Sequence, residues 1–378
     1  MIFGTANKLM SKIKPSLKTF VGMMQILGGM SFAFNIEWPT IFNQIVEYSK
    51  ALSIDFAAII PIGCFTTEWT FTQNFYMQVS YPPFVLIAML SIHKVRALGL
   101  REQVDPPDKE IQFEHEELVA SSLGYCFTFV FMIYPAVSQC IFQALISQDL
   151  AEGESLLRVD FQVDYESDTH QVLIVVAVLM VLVYPLGFPL SIAGVLYQNR
   201  AGLLRDESAE RQQFAPLVED YRNDCYYWEA LEMFRKIMLT GLLIFFSPGS
   251  IFQLVLGLMV SAVFLVLSVR TQPFTSRFNN RFKVATDVAI MTTFCVAVLM
   301  NKHVDSSQEP TWMSRSLFDA VFAVINIWVP MMVVAVELFT QAAEDDDEEV
   351  STYVHTDSLS SQRLITTFRA HLLVDRVV

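Results

Sequence analysis

Apolar runs of nearly bilayer-spanning length recur along this chain and leave it few folds to choose from. About 30 Å of hydrocarbon takes about 20 helical residues. About eight stretches reach that scale, roughly 20–36, 74–92, 118–146, 171–197, 227–247, 250–270, 284–301 and 316–340. A segment centred on 41–60 is different, because it is apolar on one side yet carries Asn43, Gln44, Glu47, Lys50 and Asp55. Each charge near the bilayer centre costs roughly 2.5 to 3.5 kcal/mol on the insertion scale, so this segment is predicted to lie at the interface or tuck against the bundle. Composition agrees: 53% of residues are hydrophobic and only 17% charged, against roughly 45–50% and about 25% in soluble domains. The predicted fold is all-α, a polytopic transmembrane helical bundle of about eight spanning helices plus one interfacial helix.

Lys and Arg give an independent handle on topology, since cytoplasmic loops accumulate them. With the N-terminus inside, the inner segments carry Lys8, Lys12, Lys14, Lys18, Lys94, Arg96, Arg101, Lys109, Arg200, Arg205, Arg211, Arg222, Arg270, Arg277, Arg281 and Lys283. The outer segments hold Lys50, Arg158, Lys302 and Arg315. A further crossing by 41–60 would scramble that division, so both termini are expected in the cytoplasm of a plasma membrane or endomembrane. The domains follow: a basic N-terminus 1–19; two accessory helices within 20–92 around an extracellular interfacial segment 36–73; a cytoplasmic linker 93–117; a six-helix region 118–340; and a tail 341–378. The tail opens "EDDDEEVSTYVHTDSLSSQ", whose acidity and Ser/Thr content predict disorder and suit a cytoplasmic partner. The net charge of −14 excludes the basic surface that a nucleic-acid binder needs.

No P-loop, GxGxxG, GxSxG or HExxH spacing occurs, so the chain is read as no enzyme and as needing no cofactor or catalytic metal. The polar residues inside the runs carry the candidate chemistry. In "WEALEMFRK" the charges Glu229, Glu232, Arg235 and Lys236 fall within about 120° of a helix's circumference. Glu232 reaches Arg235 and Lys236 at i+3 and i+4 spacing, so they should largely neutralise one another at the inner membrane surface. Lys283 and Asp287 stand one turn apart and fit a second pair of the same kind. Together these six form a predicted inner coupling face. Asn326, with Asp319 nearer the outer end, is the candidate pore lining; an interhelical hydrogen bond is an equal alternative for Asn326. Asp160, Asp164, Glu166 and Asp168 crowd the outer loop 149–168 and would gather cations at a pore mouth. Pro135, Pro185 and Pro189 remove backbone donors at mid-helix and are candidate hinges.

Several stretches also carry a family signal. "WEALEMFRKIMLTGLLIFFSPGSIFQLVLGLMVSAVFLVLSVRTQPF", "MMQILGGMSFAFNIEWPTIFNQI", "IYPAVSQCIFQAL" and "VYPLGFPLSIAGVLYQNR" resemble the TRP-like membrane module at the C-terminal end of large protist and algal proteins. They are more distantly similar to the fungal TRP-like family of flavin-carrier and polycystin-related proteins. The resemblance implies a six-helix channel region over 118–340, a cation channel or other ion-transport protein assembled as a homo-oligomer in the lipid bilayer. The alternatives are a flavin-carrier-like or other small-molecule transporter, using the proline-broken helices, and a non-conducting scaffold or receptor acting through its tail.

Overall fold

In a computed structural model of the chain, the described residues are 2–34, 36, 38–52, 69–102, 109–150, 154–205, 208–246, 249–304, 315–328 and 330–335. The chain divides into two units, Met1–Ile327 and Trp328–Val378. In the second, the described residues are Trp328 and the helical run 330–335. The expected tail 341–378 lies outside the described residues.

The first unit is mostly helical. Its longer helices are α1 (Ile2–Ala33), α2 (Thr40–Leu52), α3 (Phe71–Glu102), α4 (Lys109–Gln143), α5 (Asp168–Val181) and α6 (Gly187–Gln198). Three short helices, α7 (Arg200–Leu203), α8 (Ala209–Gln213) and α9 (Ala215–Val218), lead into α10 (Trp228–Thr240), α11 (Ile251–Thr271), α12 (Arg277–Val304) and α13 (Arg315–Ala323). Six stretches are long and apolar enough to cross a membrane: Phe71–Arg96, Gly124–Gln143, Asp168–Gln198, Ile251–Thr271, Arg277–Asn301 and Leu317–Ala335. They are consistent with a multi-pass membrane protein.

The two expected spans missing from that set, 20–36 and 227–247, belong to α1 and α10, and both are interior helices. Met23, Ile26, Leu27, Met30 and Ala33 of α1 are buried, as are Trp228, Glu229, Met233, Arg235, Lys236 and Ile237 of α10. Helices surrounded by protein need not be apolar all round. The outer helices are the reverse, with Val172, Val175, Val178 and Leu179 of α5 and Phe252, Met259, Val263 and Val266 of α11 exposed. Large apolar side chains outside and charges inside invert the soluble pattern and suit a lipid surround. At Gly241 α10 gives way to a 3-10 turn, Leu242–Phe245. A Cβ there would stand 2.3 Å from the Phe142 ring, so only glycine lets α10 pack this close to α4.

Helix α2 is amphipathic as predicted. Phe42, Ile45, Val46 and Ser49 are buried while Asn43, Gln44, Glu47 and Tyr48 are exposed, the i, i+3, i+4, i+7 pattern of a docked helix. It is tucked against the bundle, with Phe42 stacked on Trp38 and against Phe322 of α13. Residues 53–60 of that predicted segment lie outside the described residues.

One all-helical expectation fails. Within the acidic loop 149–168 and just before it, β1 (Ser147–Asp149), β2 (Ser155–Leu157) and β3 (Asp160–Asp164) pair antiparallel in that order. The reason lies in Leu157, which is fully buried with Phe71, Phe75, Ile133 and Leu173 in a second apolar cluster. One buried anchor offsets the cost of ordering an otherwise exposed ribbon.

The prolines behave differently from one another. Pro135 lies within α4, which is assigned helical without a break. Around Pro185 the backbone widens to a π-helical segment, Leu182–Leu186, between α5 and α6, as the loss of an i−4 donor allows. Pro189 sits in the first turn of α6 and cannot donate to the Pro185 carbonyl; the Tyr134 hydroxyl of α4 donates to it instead, at 2.6 Å.

Candidate functional site

The charged stripe of α10 points inward, and the helices around it supply its partners. Lys18 of α1 pairs with Glu229, 2.6 Å from Nζ to Oε2, and the Tyr221 hydroxyl donates to the same oxygen at 2.8 Å. Lys283 of α12 lies 2.8 Å from Glu232 Oε1 and 2.7 Å from Asp287 Oδ1. Arg235 Nη1 is 2.5 Å from Asp287 Oδ1 and only 3.5 Å from Glu232 Oε2. Ser268 of α11 donates to the other Asp287 oxygen at 2.6 Å. Asp287 is wholly buried, and Glu229, Arg235, Lys236 and Lys283 nearly so.

Among the described residues Lys236 has no carboxylate within salt-bridge distance. Its Nζ donates to Gln25 Oε1 of α1 at 2.9 Å and stands 3.5 Å from the centre of the Phe131 ring. Gln25 is held in turn by donating to the Met132 carbonyl. An aromatic face attracts a desolvated ammonium by about 2 kcal/mol, so Phe131 stands in for a counter-ion. Room for the ammonium comes from Gly22, where a Cβ would lie 3.3 Å from Lys236 Cε.

A water-sized cavity of about 30 Å³ sits among these groups, bordered by Lys18, Arg235, Lys236, Lys283 and Asp287. Nε and Nη2 of Arg235 find no acceptor among the described residues. The connection between α6 and α10 closes one end. Arg211 donates to the carbonyls of Leu203, Val218 and Tyr221, and Tyr221 bridges to Phe274. Burial holds the Tyr221 hydroxyl well above its ordinary range, so it serves Glu229 as a donor.

The six residues of the predicted face come together, and two spaced pairs form, Glu232 with Arg235 at 3.5 Å and Lys283 with Asp287 at 2.7 Å. Glu232 was expected to neutralise Arg235 and Lys236 along α10 at the membrane surface. Arg235 also reaches Asp287, and more closely, while Lys236 turns to Gln25, and all but the partly exposed Lys18 and Glu232 are buried. Lys18, Gln25, Tyr221 and Ser268 escaped the sequence reading; Gln25 alone, a polar residue inside "VGMMQILGG", had a visible signal.

The other predicted residues do not join this site. Asn326 is buried; its Oδ1 accepts from the Thr293 hydroxyl and its Nδ2 donates to the Phe322 carbonyl, the interhelical bond foreseen as the alternative to pore lining. Asp319 accepts from the Ile41 amide at the start of α2. Asp160 accepts from the amides of Phe71 and Gln162, and Asp164 from that of Glu166. Asp168 opens α5, where a carboxylate favours the helix dipole. Among the described residues no three His, Cys, Asp or Glu side chains are placed to hold a metal ion. The chain matches no family model, no curated protein and no solved structure.

Proposed function

We propose that this is an ion-transport membrane protein of TRP-like type, in which the buried network couples the interior helices α1 and α10 to α12. The observation that supports this is seven ionisable side chains gathered on three helices, five of them buried and Lys18 and Glu232 partly so. Such groups are costly to desolvate, by several kcal/mol per ion, and pairing them seldom improves on an apolar core. Ionisable residues inside a membrane bundle therefore mark functional elements by default. With four cations against three anions, the network itself repels a permeating cation. A cation path would form between copies of the chain in a homo-oligomer.

In this reading α1 and α10 also cross the bilayer, giving eight spans. The 13 residues of α10 and the four of its 3-10 extension rise about 27 Å together, close to the hydrocarbon thickness. The sixteen-to-four division of Lys and Arg supports a cytoplasmic position for both termini. Recording from reconstituted protein tests the proposal. The expected result is a cation current whose gating, but not selectivity, changes in Arg235→Gln. Silence from well-folded protein, or identical gating in the variant, would count against it.

The π-helical segment at Pro185 favours a second reading, a small-molecule carrier. Broken helices that expose carbonyls are how many carriers form a midplane site, and the Pro185 carbonyl is held by a single hydroxyl. Solute-dependent thermal stabilisation that disappears in Tyr134→Phe would favour the carrier.

A further inference from the structure

A second cavity adjoins the charge network and has a different character. It is a groove of about 570 Å³ between α1, α4 and α9, within the roughly 300–1,000 Å³ of small-molecule sites. Its walls are apolar, with Val21, Phe127 and Met132 among them, and its lip is charged, with Lys14, Glu219 and Asp220. Leu17 and Tyr125 line it too and are 55% and 68% exposed. Tyr125 belongs to the span Gly124–Gln143, so the groove opens toward the acyl chains that would surround such a helix.

The lip selects a headgroup. Lys14 pairs with Glu219 but stays 64% exposed, so its ammonium keeps donors for a further acceptor. Lys18 is paired with Glu229. The Asp220 carboxylate has no hydrogen bond or ion pair among the described residues, and burial pushes its carboxyl up despite the opposing pull of Lys18. An anionic headgroup would meet that carboxylate, which no hydrogen-bond donor among the described residues satisfies. A quaternary ammonium could not donate a hydrogen bond to it. A phosphate beside a primary ammonium satisfies both lysine and aspartate.

We propose that this groove holds an acyl chain of a phospholipid with a zwitterionic primary-amine headgroup, the phosphate accepting from Lys14 and the ammonium donating to Asp220. Lys18 and Phe131 border both the groove and the charge cavity, so a seated lipid touches the wall that holds Glu229 and Lys236 in place. The inference rests on membrane embedding and deepens the transport reading without depending on it.

The test uses the full-length chain, purified in mild detergent and offered equal dioleoyl phosphatidylethanolamine, phosphatidylcholine and phosphatidylglycerol, with retained lipid read by native mass spectrometry. The ethanolamine lipid is expected to be retained roughly tenfold over the choline lipid, a factor worth about 1.4 kcal/mol. Asp220→Asn should bring that ratio near one at unchanged melting temperature. Thr128→Trp, which fills the groove from an exposed lining position, should reduce retention of all three. Equal retention of ethanolamine and choline lipids, preference for the glycerol lipid, or an unchanged ratio in Asp220→Asn overturns the headgroup assignment. Competition by glycerophosphoethanolamine as strong as by the intact lipid overturns the acyl-chain assignment. Should Thr128→Trp fail to fold, the Asp220→Asn ratio and that competition still decide. A silent protein that selects the ethanolamine lipid sinks the transport reading alone, and a conducting protein without selection sinks this one alone.

Discussion

Replacing Asp287 by Ala should be the most damaging single change in the interior. Asp287 is wholly buried and is shared by Arg235 and Lys283, with Ser268 bonded to its second oxygen. Truncation leaves the Arg235 guanidinium with only Glu232, 3.5 Å away, and removes one of the two carboxylates beside Lys283. Breaking a buried pair by deleting one partner costs about 3–5 kcal/mol, mostly because a charge is left uncompensated in low dielectric. Removing both charges is different, since apolar replacements of similar volume are often neutral or better. Arg235→Met/Asp287→Leu should therefore lose less than the sum of the Arg235→Met and Asp287→Leu single variants, with a coupling energy of about 2 kcal/mol or more. Unfolding titrations in mixed detergent micelles, followed by circular dichroism, give all the values needed for the cycle. A loss below about 1 kcal/mol in Asp287→Ala, or a double variant whose loss is the sum of the singles, would refute a buried ion pair.

Three further outcomes are expected. Tyr134→Phe leaves the Pro185 carbonyl without its donor and should cost about 1–3 kcal/mol, read by the same titration; a neutral result means another donor moves in. Asp319→Ala removes the acceptor for the Ile41 amide and should cost about 0.5–2 kcal/mol as caps do, with faster hydrogen exchange over 40–52 than elsewhere. Uniform exchange across the bundle would contradict a local tie. Cys225 is buried, and desolvation with help from Asp224 raises its thiol to about 11. Below that value the thiolate fraction, and with it the iodoacetamide rate, should rise about tenfold per pH unit from pH 8 to 10; a rate at pH 8 equal to that of free cysteine would show the site to be open.

Much of the architecture is legible in local sequence because its causes are local. The runs 74–92, 118–146, 171–197, 250–270, 284–301 and 316–340 are apolar over a bilayer's thickness, and each overlaps one of the six helical stretches long enough to cross a membrane. The single charged stripe of α10 and the amphipathic turn of α2 follow from 100° per residue. Leu157 and its sheet were hidden because three short strands among acidic residues give no long alternating pattern, and the burial of one leucine is set by helices α3 to α5.

The network shows where local reading stops. That Glu229, Glu232, Arg235 and Lys236 share a face was readable, as was the turn from Lys283 to Asp287. Which charge meets which was not, for Arg235 finds Asp287 52 residues away and Lys236 finds Gln25 across 211. Spacing along one helix favours the i+3 and i+4 partner by a few tenths of a kcal/mol, whereas a desolvated charge gains several from the best-placed partner on any helix. The sequence thus determined where six long apolar stretches lie and which faces carry charge. Tertiary packing decided that α1 and α10 stand inside, because a buried charge goes where other helices can compensate it.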